Sequence, residues 1–300
     1  MRVLIALGGN ALLRRGEPPD AAVQVAHVKS VASTLAAAAS AHEVVITHGN
    51  GPQVGLLALE SANDASLSRP YPLDSLVAET QGLIGYWLQQ SISAAGYSGR
   101  IVTLITQTVV AVDDPAFADP TKFVGSTYSE ATAHQLAAER VWVVKPDGDA
   151  WRRVVPSPLP VRVVETPIIE DLVQMGTTVI CAGGGGIPVV EADGRWFGVE
   201  AVVDKDHVAA LLALELDADL LVLLTDVPAV MADFGTPTAH PLGCVTVAYL
   251  GTQSFAAGSM GPKISAACRF VNESGRTAVI GSLDDLASIL AGSAGTRIAP

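Results

Sequence analysis

Positive charge is scarce in this chain. Its 300 residues hold 18 lysines and arginines against 30 aspartates and glutamates, a formal net charge of −12. That balance disfavours nucleic acid and anionic membrane surfaces as partners, because both require a basic footprint. Cysteine is scarcer still. Cys181, Cys244 and Cys268 are odd in number and far apart, which argues against a disulfide framework or a zinc site and fits a reducing, cytoplasmic compartment. No apolar run reaches the roughly 18 to 20 residues that span a bilayer. The opening MRVLIALGGN runs straight into a motif and does not read as a signal peptide.

Several chemical signatures are also missing. There is no H-E-x-x-H pair among the six histidines, no G-x-x-x-x-G-K-[ST] and no G-x-S-x-G. Gly49-x-Gly51-x-x-x-Gly55 has one residue too many for the dinucleotide fingerprint, so NAD is disfavoured and no protein-held metal is expected.

What is present is a rhythm. Apolar, strand-like runs alternate with helix-length amphipathic segments, the pattern of an open, mainly parallel sheet covered on both faces. Strands are expected at Arg2–Leu7, Glu43–Thr47, Ile101–Thr106, Thr177–Cys181 and Leu220–Leu224, with helices over Asp20–Ala39, Leu73–Ala95 and Ile168–Met175, and from Lys205. A hairpin is expected near Val189–Val199 about the turn Asp193-Gly194, and a helix–strand–helix–strand unit over Gly261–Ile298. Residues 113–160 break the rhythm with Pro, Asp and short strand-like pieces, and read as an inserted flap. The expected layout is an N-terminal lobe over 1–176 that includes this flap, then a C-terminal lobe over 177–300.

Four glycine-bearing turns follow expected strands: Gly8-Gly9-Asn10, Gly49-Asn50-Gly51, Gly183 to Gly186, and Gly258-Ser259-Met260-Gly261. One such turn need only end a strand. Four together point to backbone amides held towards an anion at the carboxyl edge of a sheet.

Only five lysines occur, and three sit at turns: Lys122 in DPTKFVG, Lys205 in VVDKDHVAA and Lys263 in GSMGPKISAA. Lys29 and Lys145 read as surface residues. Three ammonium groups around one pocket suit phosphoryl transfer, which needs charge neutralisation and in-line positioning more than covalent help. Asp206 is placed to hold neighbouring lysines through charge-assisted hydrogen bonds. Neither Lys205 nor Lys263 is expected in the core. No nucleophile stands out, and His48 reads more readily as a turn residue satisfied by backbone than as a base.

The stretches ALGGNALL, ITHGNGPQVG, DPTKFVG, CAGGGGIPVV, VEAVVDKDHVA, LLTDVPAV and GSMGPKISAACRFV occur in this order and span nearly the whole chain. Together they resemble the carbamate kinases of the amino acid kinase superfamily. That resemblance implies a three-layer αβα sandwich with an open, mainly parallel sheet, usually as a homodimer. It implies phosphoryl transfer between ATP and carbamate, giving ADP and carbamoyl phosphate, with Mg²⁺ carried on the nucleotide. By motif, Gly8, Gly9, Asn10, Gly49, Asn50 and Gly51 would surround the acceptor, and Lys122 would close over it. Lys205 and Lys263 would stabilise the phosphoryl group, organised by Asp206. Gly184, Gly185, Thr225, Asp226, Val227, Met231, Gly258, Ser259 and Met260 would lie by the nucleotide. The rival readings are a superfamily kinase for another small carboxylate or phosphonate, and a non-catalytic nucleotide sensor.

Overall fold

A computed structural model describes residues 1–9, 12–14, 16–255 and 260–300. The N-terminal half runs β1 (Arg2–Leu7), α1 (Ala21–Ala41), β2 (Glu43–His48), α2 (Gly51–Asn63), α3 (Leu73–Ala94), β3 (Arg100–Thr103) and β4 (Gln107–Val110). Next come β5 (Lys122–Tyr128), α4 (Glu130–Arg140), β6 (Val143–Asp147), β7 (Ala150–Val155), β8 (Pro160–Val163) and α5 (Thr166–Gln174). Then follow β9 (Thr177–Ile180), β10 (Ile187–Ala192), β11 (Arg195–Gly198), α6 (Lys205–Glu215) and β12 (Leu220–Thr225). The chain ends with β13 (Met231–Ala232), β14 (His240–Pro241), β15 (Cys244–Thr246), α7 (Val247–Leu250), α8 (Met260–Ser274), β16 (Thr277–Ser282), α9 (Leu286–Leu290) and β17 (Thr296–Ala299).

The main sheet has the order β15-β17-β16-β12-β1-β2-β9-β3 and is parallel except where β16 meets β17. Strand periodicity explains its two cores. Val3, Ile5 and Leu7 of β1 join residues of α1, α3 and α9, while Leu4 and Ala6 face α5, α6 and α8 on the opposite side. Every one of these five β1 side chains is buried, which is why the strand reads as a continuous apolar run. The result is the expected three-layer αβα sandwich.

β9 pairs with both β2 and β3. The lobe boundary expected after residue 176 therefore runs through hydrogen-bonded neighbours of one sheet. The expected strand Ile101–Thr106 is broken. Gln81 accepts from Thr106 N and donates to its carbonyl, at 3.1 and 3.0 Å. A side chain from α3 thus replaces the ladder there, and the chain crosses to a second sheet, β11-β10-β4-β8. The Asp193-Gly194 turn has φ of 51° and 69°, the paired left-handed geometry of a tight hairpin.

Within 113–160 lies a three-stranded antiparallel sheet, β5-β7-β6, with α4 beside it. Val124 and Val155 at its root pack into a small core with Val54, Leu76, Val77 and Val202. The flap is therefore seated on α2 and α3. Among the described residues no helix is long and apolar enough to cross a membrane.

Candidate active site

The loops after β1, β2 and β12 meet at the carboxyl edge of the sheet. β1 is hydrogen-bonded to β2 on one side and β12 on the other, with Leu7 opposite His48. Gly49 N donates to Leu7 O at 3.1 Å, carrying the ladder one residue past the strand. A Cβ on Gly49 would lie 3.2 Å from the Gly9 backbone and 3.4 Å from Lys205 Cδ. Glycine is what lets the loop after β2, the loop after β1 and a lysine stem meet there.

Lys205 opens α6, whose N-cap is Asp204; Asp204 Oδ1 accepts from Asp206 N at 2.9 Å. Lys205 Nζ lies 3.1 Å from both Asp206 oxygens, and Lys263 Nζ, from the first turn of α8, is 2.9 Å from Asp206 Oδ2. The helices α6 and α8 pack together, so two lysines 58 positions apart in sequence (263 − 205) share one carboxylate. Lys122, on the first residue of β5, reaches Asp204 Oδ2 at 2.6 Å. Burial lowers the pKa of Lys205, but Asp206 and Asp204 outweigh it and hold the ammonium above its ordinary value. At Lys263 burial and the like charge of Lys205 win over Asp206, and its pKa is pushed down. Burial pushes the Asp204 carboxyl up, yet the Lys122 ammonium, reinforced by Lys205, carries it well below the usual carboxylate range.

One structural expectation is corrected. Lys263 is part of the interior, at 8 % exposure, because the carboxylate it neutralises is itself buried between α6 and α8.

These groups line one side of a cleft of about 950 Å³. Gly8, Gly9, Lys122, Lys205, Asp206 and Lys263 stand at one end. Thr225, Asp226, Val227, Met231 and Met260 line the rest, together with Ala229, Phe234, Gln253 and Phe255, which the sequence did not single out. Asn10, Gly258 and Ser259 lie outside the described residues. Gly49 and Asn50 do not line the cleft: Gly49 packs on Gly9, and the buried Asn50 side chain donates to Thr80 Oγ1 at 2.8 Å. Gly51 opens α2. Gly184 and Gly185, expected by the nucleotide, are placed elsewhere. Both are buried with positive φ, and a Cβ would run into the Asn50 carboxamide at the first and the Val203 carbonyl at the second. The quadruple glycine turn therefore packs against the loop after β2 and the approach to α6. Close packing requires its glycines here, and spacing alone does not distinguish that from anion binding.

His48 is buried, and its Nδ1 donates to Gly49 O at 3.0 Å. Burial pushes its pKa down to about 4, only partly opposed by that hydrogen bond. A proton therefore binds the unfolded chain before the folded one: stability is full above the unfolded value of 6.5 and falls as the pH drops towards 4. That lowering corresponds to about 3 kcal/mol. Urea unfolding at a series of pH values should show this loss, and His48→Gln should flatten it. An equally steep acid loss in that variant would assign the effect to other groups. Asp204 titrates too low to contribute in this window, since its unfolded value is 3.8 and its folded value lower.

Chemically, the cleft brings three lysines and the Gly8-Gly9 backbone together with a mixed wall, Asp226, Asp233, Thr236 and Gln253 beside Val227, Met231, Phe234 and Phe255. Among the described residues no cluster of three His, Cys, Asp or Glu side chains could hold a metal ion.

Comparison with known proteins bears on this arrangement. A model of the amino acid kinase family matches residues 1–282. The carbamate kinase of Rhizobium meliloti (strain 1021) is 49 % identical, over 99 % of this chain and 93 % of its own. The carbamate kinase of Haemophilus influenzae is 48 % identical, over 99 % and 96 %.

The chain belongs to the carbamate kinase family.

Among solved structures, a carbamate kinase from Giardia lamblia bound to AMP-PNP superposes with a TM-score of 0.91 at 39 % identity, covering 99 % of this chain and 98 % of that one. An isopentenyl phosphate kinase from T. acidophilum, at 15 % identity and a TM-score of 0.58, shares the fold alone. The carbamate kinase resemblance read from the motifs is thus borne out over the full length, including the flap.

Proposed function

We propose that the protein catalyses reversible phosphoryl transfer between ATP and carbamate, giving ADP and carbamoyl phosphate. The observation that carries this reading is the sharing of Asp206 by Lys205 and Lys263 at the glycine-lined end of a nucleotide-sized cleft. In the forward direction a carbamate oxygen attacks the γ-phosphorus, and the bond to the β–γ bridging oxygen breaks to release ADP. Carbamate is already an anion, so its oxygen needs no general base. A buried, neutral His48 suits that acceptor.

Gly9, Asn10, Gly49, Asn50 and Gly51 would form the acceptor end, with Lys122 beside it. Lys205 and Lys263 would meet the charge on the phosphoryl group as it passes. Thr225, Asp226, Val227, Met231, Gly258, Ser259 and Met260 would line the nucleotide's place, with Phe234 and Phe255 offering aromatic surface. Asp204 and Asp206 are already neutralised by lysines, so the residues present fit an Mg²⁺ that rides on the nucleotide phosphates and adds charge neutralisation there. We read the protein as a cytoplasmic homodimer of nitrogen and arginine metabolism, working mainly towards ATP, because carbamoyl phosphate is a reactive mixed anhydride.

The test is ATP formation from ADP and a panel of phosphoryl donors. Carbamoyl phosphate should be used at least a hundredfold better than acetyl phosphate or a phosphonate anhydride, on the order expected of a site built for its acceptor. Equal use of all donors, or none of carbamoyl phosphate, would overturn the reading.

A further inference from the structure

Asp204 lies between two acts of positioning, and neither the motifs nor the family comparison gives it a role. Its Oδ1 caps α6 by accepting from Asp206 N, and its Oδ2 takes the Lys122 ammonium at 2.6 Å. One carboxylate thus touches both the helix that presents Lys205 and the strand that presents the flap lysine. Each oxygen makes one of these two contacts.

The backbone closes the same circuit. Lys122 is paired with Val155 across the β5–β7 ladder. The next residue, Pro156, accepts from Val202 N at 3.0 Å, and Val202 is two positions before Asp204. Val124, Val155 and Val202 pack together beneath. The Asp204–Lys122 pair therefore sits at the root of the flap, where the flap is tied to the sandwich, and not at its far end.

We infer that Asp204 is a positioning residue that sets the flap lysine in the cleft before substrate arrives and locks it in register with Lys205. The inference rests on the proposed phosphoryl transfer. An ammonium has three donors, so Lys122 can keep Asp204 and still offer two hydrogens to an incoming anion. Pre-setting that geometry removes an ordering cost from acceptor binding.

Asp204→Asn separates the two functions. Asparagine caps a helix as well as aspartate does, so α6 keeps its cap while the charge that orders Lys122 is removed. The KM for carbamoyl phosphate should rise about tenfold, the size expected for losing one partly exposed charge contact. The KM for ADP should stay at the wild-type value, while the thermal midpoint falls, because the lowered carboxyl pKa is stability that Asp204 contributes at neutral pH. In a Lys122→Met background, adding Asp204→Asn should raise the KM for carbamoyl phosphate no further, whereas a role independent of Lys122 would give additive effects. A role confined to the cap would leave that KM at the wild-type value in Asp204→Asn itself. Hydrogen exchange reads the contact without substrate: the amides at 122–124 should exchange faster in Asp204→Asn. Faster exchange in a protein that makes no ATP even as wild type would sink the proposed reaction and leave the contact standing. An active Asp204→Asn enzyme with unchanged KM, or unchanged exchange at the flap root, would overturn the inference.

Discussion

Asp206→Ala is expected to lose both activity and stability, the largest combined effect of any single replacement in the site. The aspartate is 4 % exposed in its side chain, and the lysines it holds are 17 % and 10 % exposed. Removing it leaves two ammonium groups facing each other with no counter-ion between them. Breaking a buried charge group from one side costs about 3–5 kcal/mol, because the remaining charge is stranded. Turnover should fall by about 10³ or more, since both lysines lose their placement together. Urea unfolding and the ATP-forming assay read the two effects separately. A variant that folds as stably as wild type would show that the lysines find other partners, and would undo the account of Asp206 as their organiser.

Lys205→Met should behave differently, although the residues touch. Its removal leaves Lys263 and Asp206 as a one-to-one pair and relieves Lys263 of the like charge that pushes its pKa down. The methionine keeps the apolar stem that lies against Gly49. The fold should therefore lose little, less than about 1 kcal/mol, because the packing of the stem is kept and Asp206 retains Lys263 as its partner. Turnover should still drop by about 10² to 10³, the usual cost of removing one donor from a developing oxyanion. Near-normal turnover in a folded Lys205→Met protein would remove the lysine from the chemistry. The contrast between the two variants, one losing stability and activity and the other activity alone, is the sharper test of how the charges are arranged.

Much of this was legible before any coordinates. Arg2–Leu7 reads as a strand because every residue after Arg2 is apolar, and a central parallel strand buries both its faces. Lys205 and Lys263 were conspicuous because lysine is rare here and each follows a turn. Three things were not legible. The break at Thr106 depends on Gln81, 25 residues away, and no local pattern announces a side chain that substitutes for a sheet partner. Gly184 and Gly185 looked like an anion loop, yet they are small because Asn50 and Val203 press on them. Asp204 was visible in VVDKDHVAA, but that it would reach the flap depended on a fold-back of 82 residues.

The placement of β1 between β2 and β12 has a consequence for substrate size. Adjacent strands lie about 4.8 Å apart, so the two outer loops spring from points about 10 Å from each other, with the Gly8-Gly9 turn midway. In the proposed reaction donor and acceptor are delivered from those two loops, and their separation is fixed by the lattice of peptide hydrogen bonds. The pitch of the sheet becomes the ruler of the transfer, and room for one acceptor or another is left to the loops that the strands carry.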